Sequence, residues 1–315
     1  MAATFDAADI QQYETYINLA SQQMEARLTR FLQEDKMAGV RKFYTRLAAF
    51  AQPQIATSRN MDIVNSDPQF SRRIVAPKRV YWGTALDDAD TIRANINPTG
   101  DFVRSAMYAM ERQKDIITIS ALLGTALSTS DYGTTTASVA LPSSQVVPIG
   151  YMESGVTTGT SVAGNTGMTV GKIKYGLNLL NSQEAVLPGD EVIVAINTWG
   201  LNQLKRDQQV TNIFYSDNKW LTDIDSHPVQ RALGVTFIRT ELIPTINAGS
   251  NSGTATAVMF TSQAAKFTNL KPVTARIDLL PNKVGEVYQI QSYADFDCVR
   301  MFEERVVSIP FDMSA

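Results

Sequence analysis

The stretch from Asn97 to Gly124 reads NPTGDFVRSAMYAMERQKDIITISALLG. After Gly100 it holds no proline and no further glycine until Gly124. Phe102, Val103, Ala106, Met110, Ile117 and Leu122 recur at helical spacing, with Arg104, Glu111, Arg112 and Lys114 between them. Thr99 or Asp101 can cap the start, because a short oxygen-bearing side chain accepts an orphan backbone N–H. Pro98 sits just upstream, and Gly124 is placed to stop the helix. At about 1.5 Å per residue such a helix would span roughly 35 Å. That length suits either a strut on which other parts pack or an ordinary amphipathic core helix, and this stretch alone leaves both open.

With 315 residues the chain can form one large or two ordinary domains around a substantial core. A hydrophobic share of 44% and a charged share of 19% are globular values. The net charge of -3 gives no overall pull toward nucleic acid. A single cysteine, Cys298, allows no internal disulfide and no cysteine-based metal site. Synthesis in a reducing cytosol is therefore expected. The opening MAATFDAADI lacks a basic start followed by an apolar core, so no secretory leader is expected. No run approaches about 20 apolar residues, so no membrane span is expected.

Residues 10–32 carry Tyr13, Ile17, Ala20, Met24, Leu28 and Phe31 at helical spacing and predict an amphipathic helix. Its apolar stripe needs a partner, on its own subunit or on a neighbour. Residues 40–82 are basic: Arg41, Lys42, Arg46, Arg59, Arg72, Arg73, Lys78 and Arg79. The pieces 40–50 and 72–85 read as extended, with the turn-rich SRNMDIVNSDPQFS between them. A long two-stranded arm with a polar tip fits, and such an arm is marginal alone. Its basic residues are expected on a solvated face. A single-strand nucleic-acid groove would interleave them with stacking aromatics, and Tyr44, Phe50, Phe70, Tyr81 and Trp82 are too scattered for that.

After the long helix, residues 125–167 are rich in Ser, Thr and Gly and predict short strands and loops. Residues 169–185 predict a second helix capped by Thr169, with Ile173, Leu177, Leu180 and Ala185 inward. The run EVIVAI, 191–196, predicts a buried strand. Asn197 and Thr198 can cap the short helix TWGLNQLKRD. Further strands are expected at 234–244, 257–261, 273–280, 288–299 and 305–311, and a short helix at SQAAKFTNL, 262–270. Strands and helices mix without a βαβ cadence, which argues an α+β fold.

Catalytic chemistry finds little footing. Asp87, Asp88 and Asp90 form an acidic trio, but ALDDADTIRANI lacks the alternation, glycine and closing glutamate of a calcium loop. GTSVAG, 159–164, misses the nucleophile elbow by one residue. GMTVGKI, 167–173, misses the phosphate loop, since Ile173 stands where a magnesium-binding hydroxyl belongs. His227, the only histidine, lies in a polar loop and reads as a surface residue. Cys298, in FDCVRMF, reads as an inert buried thiol. No catalytic, cofactor-binding or metal-binding residue is assigned, and no cofactor is expected.

The order of these features resembles the major capsid proteins of tailed bacteriophages, which share the HK97-like fold. TIRANINPTGDFVRSAMYAMERQKDIITISALLGTA is similar to the segment that enters and forms the spine helix in one subgroup. Arg112, Asp115, Ala121 and Gly124 fall on that subgroup's R-x-x-D … A-L-x-G pattern. The basic two-stranded stretch is similar to the family's extended loop. VIVAINTWGLNQLKRD resembles its strand-then-helix, with Asn197 and Leu204 at the matching positions. GVTFIRTELIP and MFEERVVSIPF resemble its later strands.

The resemblance implies an N-terminal arm (1–44), an extended β-hairpin loop (45–90), and a peripheral domain (91–187) whose spine helix covers about 101–123. It further implies an axial domain (188–287) and a return to the peripheral domain (288–315). Such subunits self-assemble into hexamers and pentamers of an icosahedral virion shell holding double-stranded DNA, made in the host cytoplasm. The implied partners are copies of the chain, a separate scaffolding protein, a portal, a decoration protein, and packaged DNA through non-specific phosphate contacts, with no membrane. Lys78 lies on the proposed loop, but no cross-linking motif accompanies it. Deleting residues 59–73 is expected to leave a soluble subunit that closes no shell. Two rivals are an encapsulin-like compartment shell and a soluble hydrolase or binding protein with an unrecognised site.

Overall fold

In this computed structural model the residues described are 22–47, 53–59, 61–63, 65, 70–87, 99–129, 135–152, 160–161, 164–206, 228–246 and 253–314. The chain divides into two compact units. One comprises Met1–Glu25, Arg79–Gln113 and Lys271–Asp295; the other comprises Ala26–Lys78, Lys114–Leu270 and Phe296–Ala315.

The expected long helix is α1, Thr99–Leu123. Thr99 lies inside it rather than ahead of it. Asp101 sits in the first turn, where a carboxylate opposes the positive end of the helix dipole. Ala106, Met110, Ile119 and Leu122 are buried, together with Asp115 and Thr118. Ile117, expected inward, is only half-buried. Gly124 follows the last helical residue, and glycine suits the position because a Cβ there would stand 2.5 Å from the Ser120 carbonyl oxygen.

Four extended segments open the described chain: β1 (Gln33–Lys36), β2 (Lys42–Leu47), β3 (Phe70–Val75) and β4 (Lys78–Asp87). After α1 come β5 (Ala126–Thr129), β6 (Ala137–Val139), β7 (Tyr151–Met152) and β8 (Thr160–Ser161). These short strands are what the Ser/Thr/Gly-rich region predicts. Helix α2, Val170–Ser182, begins at the predicted cap: the Thr169 hydroxyl accepts from the Lys172 amide at 3.3 Å. Strand β9 (Val192–Ile196) leads into α3 (Thr198–Arg206), whose Gly200 amide donates to Asn197 Oδ1 at 2.8 Å. The remaining strands are β10 (Val229–Ala232), β11 (Val235–Arg239), β12 (Thr245–Ile246), β13 (Thr254–Thr261), β14 (Ala265–Leu279), β15 (Val287–Arg300) and β16 (Val306–Asp312).

The largest sheet orders its strands β10-β11-β9-β13-β12, with β16 also on β13. Strand β9 runs parallel to β11 and antiparallel to β13, so Ala195 faces Ile238 on one side and Val258 on the other. All five β9 residues are buried, as their continuous apolar run requires. Helix α2 lies close on this sheet, because a Cβ on Gly176 would sit 3.2 Å from the Met259 side chain. At Gly200 of α3 a Cβ would come within 2.8 Å of the Phe311 ring. A second sheet orders β1-β14-β15-β4, and a third β2-β3-β5-β6.

Three expectations need correction. Residues 22–32 form no α-helix but a single 3-10 turn, Thr29–Phe31, leading into β1; residues 10–21 lie outside those described. The amides that a helix would use internally are taken by a carboxylate of α1, as set out below. SQAAKFTNL is not a helix: 262–264 turn, and β14 begins at Ala265. Extended backbone there lets Phe267 meet Phe296 with ring centroids 5.6 Å apart, while the neighbouring Thr268 hydroxyl bonds Tyr44. The second half of the proposed arm is two strands. Only β3 pairs with β2, while β4 pairs with β15. Pro77 stands at the break, where a residue without an N–H cannot continue a ladder.

Candidate assembly site

The root of the β2–β3 arm is held from inside. Tyr44 stands opposite Arg73 in the ladder, and Arg73 stands opposite Ser128 of β5. The Arg73 side chain is fully buried and ion-pairs with Glu303. Arg46 approaches the same carboxylate at 2.9 Å and also donates to the Met301 carbonyl at 2.9 Å. Arg300, fully buried, lies 3.6 Å from Glu303. Arg46 and Arg73 are therefore not on the solvated face expected of the basic stretch. They thread back through the sheet to the 301–305 corner.

Arg300 has a further role. Its Nη1 donates to the carbonyls of Leu122 and Gly124 at 2.8 and 2.6 Å, and its Nη2 to Val139 at 2.9 Å. A cation at the carbonyl end of α1 meets the negative end of the dipole and satisfies orphan acceptors. Burial pushes the Arg73 and Arg300 guanidiniums below their ordinary values, and Glu303 opposes that shift.

Asp115 gives the R-x-x-D pattern a physical meaning. Its fully buried carboxylate accepts from the amides of Arg27 and Leu28 at 3.0 Å each. Arg27 then reaches the Arg239 carbonyl at 2.5 Å. The middle of α1 thus holds the backbone in place at Arg27 and Leu28. Arg112, at the pattern's start, donates to Gln22.

A third buried cation sits in the phosphate-loop near miss. Lys172, on the first turn of α2, donates to the carbonyls of Ile149, Thr166 and Pro310 at 2.8, 2.9 and 3.0 Å. Its three ammonium hydrogens each find an oxygen, so the residue is a structural staple. Desolvation lowers its pKa to about 8, with Asp312 opposing.

Outside the packed body, large apolar side chains are left in solvent. On the segment between β2 and β3, Ile55 is 87% and Ile63 is 90% exposed. At the β14–β15 turn, Val284 is 99% exposed.

The other candidates supply no reaction centre. His227, Asp88 and Asp90 lie outside the described residues, and Asp87 closes β4. Among the described residues no group of three His, Cys, Asp or Glu could hold a metal ion. Cys298 is buried, and desolvation drives its thiol far above the usual range, which removes it as a nucleophile. It lines a cleft of about 380 Å³ with Ile74, Ile117, Phe296 and Asp297. Burial raises the Asp297 pKa, and its carboxylate accepts from the Cys298 amide at 2.9 Å. Lys78 sits at the exposed start of β4 on the same cleft. No helix among the described residues is long and apolar enough to cross a membrane.

The phage capsid protein family matches residues 5–313, and the chain belongs to that family. Solved capsids share the architecture. The capsid of cyanophage Pam1 is similar with a TM-score of 0.68 at 13% identity, covering 100% of both chains. The capsid of Ralstonia phage GP4 is similar with a TM-score of 0.67 at 13% identity, covering 99% of this chain and 98% of that one. Mycobacterium phage Che8 gives a TM-score of 0.65 at 12% identity over 97% and 98%. At such identities the likeness speaks for the fold alone. That fold is the α+β architecture of phage capsid subunits, in keeping with the HK97-like resemblance. No curated protein matches the sequence. The chain is a capsid shell protein of a phage virion, and its family implies self-assembly and a structural rather than a catalytic role.

Proposed function

We propose that this chain closes an icosahedral head as hexamers and pentamers around double-stranded DNA. The observation that carries the reading is the pairing of a family match over nearly the whole chain with apolar side chains exposed on an extended segment. Ile55 and Ile63 gain nothing from solvent, and each buried aliphatic side chain is worth about 1.5–3 kcal/mol. Repeated over many copies, contacts of that size hold a shell whose single interfaces are weak.

In this reading residues 1–44 are the arm and 45–90 the extended loop. Residues 91–187 and 288–315 form the peripheral domain, and 188–287 the axial domain. Assembly takes place in the host cytoplasm, with a scaffolding protein and a portal as helpers and a decoration protein as a further partner. Contact with packaged DNA is to phosphate and unspecific. No step of the function uses a catalytic residue.

Electron microscopy of the purified full chain, with and without its co-expressed helpers, tests the reading. Closed particles are expected. Replacing residues 54–62 by a short Gly–Ser linker should leave a folded subunit and abolish closed particles. The earlier boundary, 59–73, would cut into β3 and remove buried Arg73, so it would unfold the subunit instead. Compact monomers from the unaltered chain under all conditions would overturn the proposal.

A further inference from the structure

The 301–305 corner holds more positive charge than its partners answer. Arg46, Arg73 and Arg300 converge on a single carboxylate, Glu303. The side chains of Arg73 and Arg300 are 0% exposed, that of Glu303 is 7% and that of Arg46 is 16%. The cations differ in how far they are satisfied. Arg300 spends its Nη atoms on two carbonyls at the end of α1 and on the Val139 carbonyl of β6. Arg46 has Ser71, the Met301 carbonyl and Glu303, and it reaches toward solvent. Among the described residues, the Arg73 side chain bonds only Glu303. Its Nε and Nη1 are buried and find no hydrogen-bond partner among the described residues. The Nε of Arg300 is in the same position.

Glu303 cannot answer all of this. It carries one negative charge against three positive ones. Buried guanidinium nitrogens without acceptors forfeit the hydration they had in the unfolded chain. An ion pair inside a protein is favourable only where the remaining donors are also met. The missing component is an acceptor bearing negative charge, close to Arg73 and compact enough for a buried corner.

We propose that this corner is a binding site for one small monovalent anion of chloride's size, held by Arg73 with Arg46 and Arg300 beside it. The half-open Arg46 side is its route from solvent. The anion completes the charge balance at the arm's root and stiffens β2 and β3 where the loop leaves the body. The same negative charge could come from a carboxylate of a neighbouring copy, and the test separates the two sources.

The full-length chain is unfolded in urea at constant ionic strength while chloride replaces gluconate, a much larger anion. Uptake of one anion per chain makes the folding constant rise about tenfold for each tenfold rise in chloride above the dissociation constant. Arg73→Met should flatten that dependence. Glu303→Gln removes the competing carboxylate and should move the onset to lower chloride. Bromide replaces chloride for localisation, and its density is expected beside Arg73 in subunits and shells alike. A wild-type folding constant indifferent to chloride overturns the proposal, as does a dependence that survives Arg73→Met. Density at Arg73 that belongs to a neighbouring copy's side chain also overturns it. Should Arg73→Met fail to fold, the wild-type dependence and the bromide position decide.

Discussion

The central sheet and the root of the arm are both buried, yet they are built on opposite terms. In the sheet, β9, β13 and β16 bring together Ile193, Val258, Phe260, Val307 and Phe311, all fully inaccessible to solvent. Their stabilisation is non-directional and scales with area. At the root, Arg73 and Arg300 are buried just as deeply and Glu303 nearly so, but each depends on a named partner. Apolar packing tolerates exchange among side chains of similar volume. A charged corner tolerates loss of neither partner, because the survivor is left in a poor solvent. The sheet therefore holds the subunit by buried area, while the corner holds β2 and β3 by named ionic partners.

That contrast can be broken most forcefully at Glu303. Glu303→Leu strips the carboxylate from three arginines and should cost about 3–5 kcal/mol in urea unfolding. Adding Arg73→Met to it should recover part of the loss, since an apolar pair of similar volume replaces a buried ion pair at little cost. If the double variant is no better than the single, the corner is not governed by charge. On the sheet side, Phe311→Ala should cost about 3–4 kcal/mol through lost burial and a cavity beneath Gly200. A Phe311→Leu variant should recover most of that, whereas Glu303→Gln should not restore its corner.

Lys172 sharpens the comparison because it places a cation within the apolar half. Lys172→Met orphans three carbonyls and should cost about 2–3 kcal/mol at neutral pH. The folded lysine lets go of its proton near pH 8, and the unfolded one holds it to about 10.5. Unfolding between those values takes up a proton, so stability should rise with pH across that window. Urea titrations between pH 8 and pH 9 should show the rise in the wild type and lose it in Lys172→Met; above pH 9 the buried Cys298 thiol, which ionises only in the unfolded chain, offsets it. The smallest effect is at Thr169→Ala, which removes one cap and should cost about 1 kcal/mol.

These two regions also differ in how far the amino-acid sequence reveals them. The strand at 192–196 is legible because five apolar residues in a row have only a buried sheet to go to. The caps at Thr169 and Asn197 are legible because their partners lie three residues away. The charged corner is not, since Arg73 and Glu303 are 230 positions apart and no local pattern joins them. The basic run between 40 and 82 looks like a solvated face until that partner is known. SQAAKFTNL misleads because its short-range preference is helical, while Phe267 and Thr268 are drafted into a strand by Phe296 and Tyr44. Asp115 falls between these cases. The family pattern marks the position, and only the fold reveals that it grips the amides of Arg27 and Leu28.

One consequence of the Lys172 staple concerns timing during synthesis. Two of its three oxygens belong to segments translated before it, and the third, on Pro310, arrives 138 residues later. The same late strand supplies the Ser308 carbonyl that accepts from Val147 at 2.9 Å. A nascent chain on the ribosome thus carries an unfinished body until β16 emerges. The staple and the Val147 contact are therefore both completed only at the end of synthesis.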